Sequence, residues 1–239
     1  GRDYHTVDIS ERTLRDVYLP PFKAAVDEGV ATFMTSFNEY DGVPASGSKF
    51  LLTDVLRDEW GFDGFVVTDD TSINEMVPHG YAKDLEQAGE QALNAGVDMD
   101  MQGAVFMENM VKSVEEGRVS QANIDRAVRR VLEMKYRLGL FEDPYRYADE
   151  ARQEATLYKP EFLEAARDVA RKSMVLLKND GNVLPLAADA ERIAVIGPLG
   201  DSKTDMIGSW SAAGDRETRP VTVLEGMKAH AGNGVTVQY

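Results

Sequence analysis

Gly61-Phe62-Asp63-Gly64-Phe65-Val66-Val67-Thr68-Asp69-Asp70 is a short apolar run that stops at carboxylates, with helix-forming sequence on both sides. A parallel strand buried on both faces reads as a continuous apolar run, and Phe65-Val66-Val67 is one. Barrels and doubly wound sheets carry their reactive groups where such strands end, at the carboxyl edge. Asp69 stands at that edge. A carboxylate capping the following helix explains the same position equally well, so spacing alone leaves both roles open.

Outward from this strand the chain alternates. Upstream, Ser10 caps a helix starting at Glu11, with Leu14, Tyr18, Phe22 and Val26 at four-residue steps. Pro20-Pro21 kinks or restarts it, and Gly29 suits its end. Residues 31–37 read as a buried strand and residues 50–60 as a helix. Downstream come a helix near 85–93, a third strand at 97–101, and helices over 105–116 and 120–138. The last is capped by Ser120 and turns Ile124, Val128, Val131, Met134 and Leu138 inward. Strand and helix in turn is the rhythm of a parallel α/β structure. Three such units cannot close a barrel of eight strands, and the pattern by itself also fits a small open sheet.

From 141 to 160 the sequence turns polar, with Pro144, three tyrosines and no apolar periodicity, and reads as a linker. Pro160 then opens a helix to residue 172. Residues 173–178, 192–196 and 235–239 read as strands, and 223–230 as a short helix. At 239 residues the chain has room for one large domain or two small ones. Its 43% hydrophobic content suffices for a packed core. A net charge of −15 and the lack of a basic run argue against nucleic-acid binding. No apolar stretch approaches the roughly 18 residues of a membrane span. With no cysteine there is neither disulfide nor thiolate metal site. Both ends look cut, and we read the chain as an internal piece of a longer protein.

Gly61–Asp69 resembles the nucleophile segment of glycoside hydrolase family 3, the β-glucosidase and β-xylosidase family. Residues 1–10 (GRDYHTVDIS), 18–22 (YLPPF), 34–38 (MTSFN), 95–101 (AGVDMDM), 135–141 (KYRLGLF) and 175–179 (VLLKN) continue the likeness in family order over nearly the whole chain. The resemblance is nearest to the periplasmic bacterial β-glucosidase type. It implies an α/β fold in which residues 1–140 are the last three β/α units of a (β/α)8 TIM-type barrel. Residues 141–160 would be a linker, and 161–239 the start of an α/β sandwich domain. It further implies a retaining, exo-acting β-glycosidase working on a β-linked oligosaccharide or aryl glucoside. No cofactor and no metal enter that chemistry, and the protein would be periplasmic or secreted.

Glycoside hydrolysis needs two carboxyl groups flanking the scissile bond, about 5–5.5 Å apart in retaining enzymes. By the resemblance Asp69 is the nucleophile. The acid/base is in most relatives a glutamate of the second domain, and in one branch a loop histidine. Neither has a counterpart here, so the chain alone should be inert. Asp70 departs from the family, which commonly carries an aromatic residue there to stack on a sugar face. Phe37 stands where many relatives have Tyr and reads as a pocket wall or as core. Arg2 reads as reaching the glycone pocket or as plain surface. Trp210 lies in a segment that relatives send toward the pocket, and core packing is the alternative.

Two rival readings come from other classes. Asp98 and Asp100 alternate with Met99 and Met101, so on a strand both acids face one way. Joined by Asp69 and Asp70 they would make a four-carboxylate site for Mg2+ or Ca2+ in a metal-dependent lyase. Alternatively each acid simply bonds neighbouring loops. The third reading is a non-catalytic sugar-binding relative, hinted at by Asp70. His5, His79 and His230 show no metal-ligand spacing and read as surface.

Overall fold

The computed structural model describes residues 4–187, 190–209, 211 and 220–239, in two compact units divided between Gln153 and Glu154.

In unit 1, strand β1 (Thr6–Val7) leads to helix α1 (Glu11–Thr13), whose Ser10 cap accepts from the Thr13 amide. The helix widens over Leu14–Tyr18 and restarts at Pro20 as α2 (Pro20–Asp27). A proline tolerates that place because a first-turn N–H has no helical partner. Then follow β2 (Thr32–Met34), β3 (Glu39–Tyr40), β4 (Val43–Pro44), a wide helix Phe50–Glu59, and β5 (Phe65–Val67). Helices α3 (Ser72–Glu75), α4 (Leu85–Ala95), α5 (Val105–Glu115) and α6 (Gln121–Arg137) complete the unit.

Strands β2 and β5 pair in parallel, Thr32 opposite Phe65 through Met34 opposite Val67. The segment expected as a third strand at 97–101 makes only an isolated parallel bridge, Val67 to Met99. A small second sheet runs β1–β3–β4. The main core lies between β5 and its flanking helices. Val66, Ile73, Met76, Ala88 and Ala92 are fully enclosed there, and apolar burial of this kind is the main stabilising term. Gly64 begins the strand because nothing larger fits: a Cβ there would lie 2.1 Å from the Ala31 carbonyl oxygen. Gly96 ends α4 at φ +117°, a conformation that glycine adopts freely.

Helix α6 is capped by Ser120 as expected, the hydroxyl accepting from the Asn123 amide. Its inward face differs from the expected one. Ala127 and Met134 are buried, whereas Val128 and Leu138 are 50% and 48% exposed. The four-residue spacing marks an apolar stripe but not the angle at which a neighbour meets it.

Helix α7 (Glu150–Thr156) falls inside the stretch expected to be a structureless linker, and α8 (Pro160–Ser173) follows. Of residues 173–178, expected as a strand, Ser173 instead ends α8, and 174–178 run without a pairing partner among the described residues, with Leu177 91% exposed. A strand exists only where its amides find another backbone, and apolar β-branched composition does not supply one. Unit 2 further holds β6 (Arg192–Ala194), α9 (Lys203–Met206), α10 (Val223–His230) and β7 (Thr236–Gln238). β6 and β7 are parallel. A capping box of Thr222 and Glu225 starts α10.

Candidate active site

Strand β5 delivers Asp69 to the carboxyl edge of the β2–β5 pair. The pairing ends at Met34 with Val67, and the Thr35 amide donates to the Val67 carbonyl at 3.0 Å. Asp69 is half-buried and Asp70 exposed. The Asp70 amide donates to Asp69 Oδ1 at 2.7 Å, and the Ser72 amide to the Asp69 carbonyl at 3.2 Å. The carboxylate thus bonds its own turn through Oδ1.

The turn is held from three sides. Thr68, fully buried, donates its amide to the Met99 carbonyl (3.0 Å) and accepts at Oγ1 from the Met101 amide (2.9 Å). The Thr71 amide donates to the Met101 carbonyl at 2.9 Å. Thr71 takes φ +56°, ψ +18°, a left-handed conformation in which a β-branched residue is strained. Beneath lies a buried cluster of three hydroxyls from three elements. Thr35 and Ser46 are 2.7 Å apart, and Ser72 bonds Ser46.

Phe37 is half-buried and stacks on Tyr4, ring centroids 4.4 Å apart. Arg2 and Trp210 lie outside the described residues. A cleft of about 680 Å3 opens beside β2, lined by Leu14, Tyr18, Phe22, Phe33 and Tyr40 among others, and takes in neither Asp69 nor Phe37.

The four-carboxylate cluster does not form. The Asp98 side chain is 1% exposed and points away from the strand edge into a buried ion cluster. Its Oδ2 accepts from Arg57 Nη2 (2.7 Å) and the Val66 amide (2.9 Å), and its Oδ1 from Arg130 Nη1 (2.9 Å). Arg57 also donates to the Gly64 carbonyl at 3.0 Å. Burial pushes the Arg57 guanidinium down to about 10, against the upward pull of Asp98. Asp100 turns to its own loop, where Oδ2 accepts from the Phe106 amide at 3.2 Å. Among the described residues no three His, Cys, Asp or Glu side chains come together as a metal site. Alternation over 98–101 would give both acids one face on a strand, but these residues form only the bridge at Met99, and the two acids part.

His79 is also not plain surface. Its side chain is 15% exposed and Nδ1 lies 3.3 Å from Glu39 Oε2. Thr6 Oγ1 donates to the other Glu39 oxygen. These two contacts hold the Glu39 carboxyl below its ordinary range, the Thr6 bond first, while burial opposes them. The His79 contact fastens the β1–β3–β4 sheet to the turn after α3, and the Thr6 bond ties β1 to β3. Neither pair is adjacent in sequence, and no local pattern announces it. His5 and His230 are exposed.

Two family models match the chain: the glycosyl hydrolase family 3 N-terminal domain over residues 1–134 and the C-terminal domain over 174–238. A periplasmic β-glucosidase of Salmonella typhimurium is 43% identical over all of this chain and 31% of its own length. A β-xylosidase of Formosa agariphila is 38% identical, over 97% of this chain and 34% of its own. The crystal structure of a Listeria innocua β-glucosidase in complex with glucose superimposes with a TM-score of 0.82 at 36% identity, covering 99% of this chain and 32% of that one. A variant of the same enzyme has been crystallised with laminaribiose. The chain spans about a third of the length of the curated relatives it matches.

Proposed function

The chain belongs to glycosyl hydrolase family 3, and from that premise we propose that it carries the nucleophile of a retaining, exo-acting β-glycosidase. Its substrate is a terminal β-D-glucosyl residue of an oligosaccharide or aryl glucoside. Asp69 attacks the anomeric carbon, the glycosidic bond breaks with a proton delivered to the leaving oxygen, and a glycosyl-aspartate forms. Water then attacks that ester, losing its proton to the same acid/base group, and frees the sugar. The acid/base comes from sequence beyond this chain, so the chain by itself lacks general acid catalysis worth roughly 10²–10⁴-fold. Phe37 and Asp70 are substrate-binding residues in this reading. The reaction needs no cofactor.

The observation that carries this reading is Asp69 itself: a half-buried carboxylate where β5 ends, its turn fastened by Thr68 and Thr71 to the next segment. In this reading residues 1–140, 141–160 and 161–239 are the end of a TIM-type barrel, a linker and the start of an α/β sandwich. Two features support the barrel: among the described residues β2 pairs only with β5, in parallel, and an apolar cleft lies beside β2. Export to the periplasm follows the likeness to the Salmonella protein.

The test uses the chain extended at both ends to the length of its relatives. Incubation with a 2-deoxy-2-fluoro-β-glucoside bearing a good leaving group should stall a retaining enzyme at its covalent stage. Peptide mass mapping should then find the label on Asp69. A label on another residue overturns the assignment. No label and no turnover of aryl β-glucosides or β-xylosides leaves the sugar-binding reading in its place.

A further inference from the structure

We infer that Asp98 is a positioning residue for the nucleophile: its carboxylate stands in for a neighbouring strand and sets where β5, and so Asp69, comes to rest. This rests on the reading of Asp69 given above.

Strand β5 is three residues long and paired along its length on one side only, with β2. On the other side β5 has the Val67–Met99 bridge, with the Thr68 amide on the Met99 carbonyl at 3.0 Å. The partner of the Val66 amide on that side is the Asp98 side chain. Its Oδ2 takes the Val66 amide at 2.9 Å, while the Asp98 and Met99 amides both donate to the Val66 carbonyl, at 2.9 and 3.1 Å. Val66 is therefore gripped at both its polar backbone groups from residues 98 and 99. Arg57, held by the same Oδ2, grips the strand one turn of pleat earlier through the Gly64 carbonyl. Three residues after Val66 stands Asp69.

Charge neutralisation alone does not require this geometry. A carboxylate between two guanidiniums balances charge wherever it lies. Only a carboxylate of this reach also meets the Val66 amide. The two roles separate by substitution. Asp98→Glu keeps the charge and both arginines but adds one carbon–carbon bond, about 1.5 Å, pressing the carboxylate against β5. Asp98→Asn keeps the reach and an acceptor oxygen but leaves the buried Arg57 and half-buried Arg130 guanidiniums without this counter-charge, which is strongly destabilising.

In the chain extended to its relatives' length, the expected result is a crossover. D98N should melt at the lower temperature, yet D98E should be the slower enzyme when both are assayed folded, well below their own melting temperatures. For D98E, kcat on an aryl β-glucoside and the rate of fluoroglucoside labelling at Asp69 should fall roughly 10- to 100-fold. A displacement of about 1 Å costs that much in a preorganised site. KM should move less than about threefold, because the glycone contacts are elsewhere. Rates that follow the melting temperatures, or a D98E enzyme within threefold of wild type, overturn the proposal. If D98N does not fold, the D98E rate decides alone. A wild type that neither turns over nor takes label brings down the glycosidase reading itself, and this inference with it; turnover with D98E unaffected removes this inference only.

Discussion

Thr71 is the residue on which the site's local cost is concentrated. Its left-handed conformation costs an L-residue about 1–2 kcal/mol, and the turn keeps it because the Met101 carbonyl holds its amide. Glycine adopts the conformation freely and gives back about 0.5–1 kcal/mol through its freer unfolded chain. Thr71→Gly should therefore raise the melting temperature by a few degrees, about 0.5–1 kcal/mol, in a thermal melt. An unchanged or lower value would show that the hydroxyl bond to the Asp70 carbonyl outweighs the strain. Glu39 gives a pH prediction. Its carboxyl lies below its unfolded value of about 4.3, so its contribution is present above that pH and is lost as pH falls through the folded value. Wild type and Glu39→Gln should differ in stability near neutrality and converge in acid. A constant gap across the range would mean that His79 and Thr6 do not stabilise the ionised form.

At the scale of elements, the β2–β5 pair depends on close backbone approach at Gly64. Gly64→Ala places a methyl carbon 2.1 Å from the Ala31 carbonyl oxygen and 2.6 Å from the Phe62 ring. Backbone cannot swing aside as a side chain can, so the loss should reach or exceed the upper end of the roughly 1–3 kcal/mol typical of overpacking. Urea unfolding measures it, and a loss under 1 kcal/mol would show that β2 and β5 are free to separate. The strand was legible because Phe65-Val66-Val67 carries its own signal: apolar, β-branched, bounded by Gly64 and by acids. The caps at Ser10 and Ser120 were legible for the same reason, being settled within three residues. Residues 173–178 were not. Their composition has strand character, but pairing depends on a backbone elsewhere.

For the whole molecule, the two units differ in how much they bury. Unit 1 encloses a continuous core of Val66, Ile73, Met76, Ala92 and their neighbours. In unit 2 the buried apolar side chains among the described residues are Val195 and Leu224. Local opening should follow that contrast. In hydrogen exchange read by mass, peptides spanning β5 and α4 should exchange much more slowly than those spanning β6 and β7. Equal protection would mean that unit 2 is stabilised by something other than its own core. The α/β rhythm, the caps, the edge position of Asp69 and the family are legible along the chain, because each is written in neighbouring residues or in motifs kept in order. The grip of Asp98 on β5 between Arg57 and Arg130, 41 and 32 residues away, and the meeting of His79 with Glu39 across 40 arise only in the folded chain. Pairings at that range are chosen by how helices and strands pack, and a carboxylate's neighbours in space leave no mark on its neighbours in the chain.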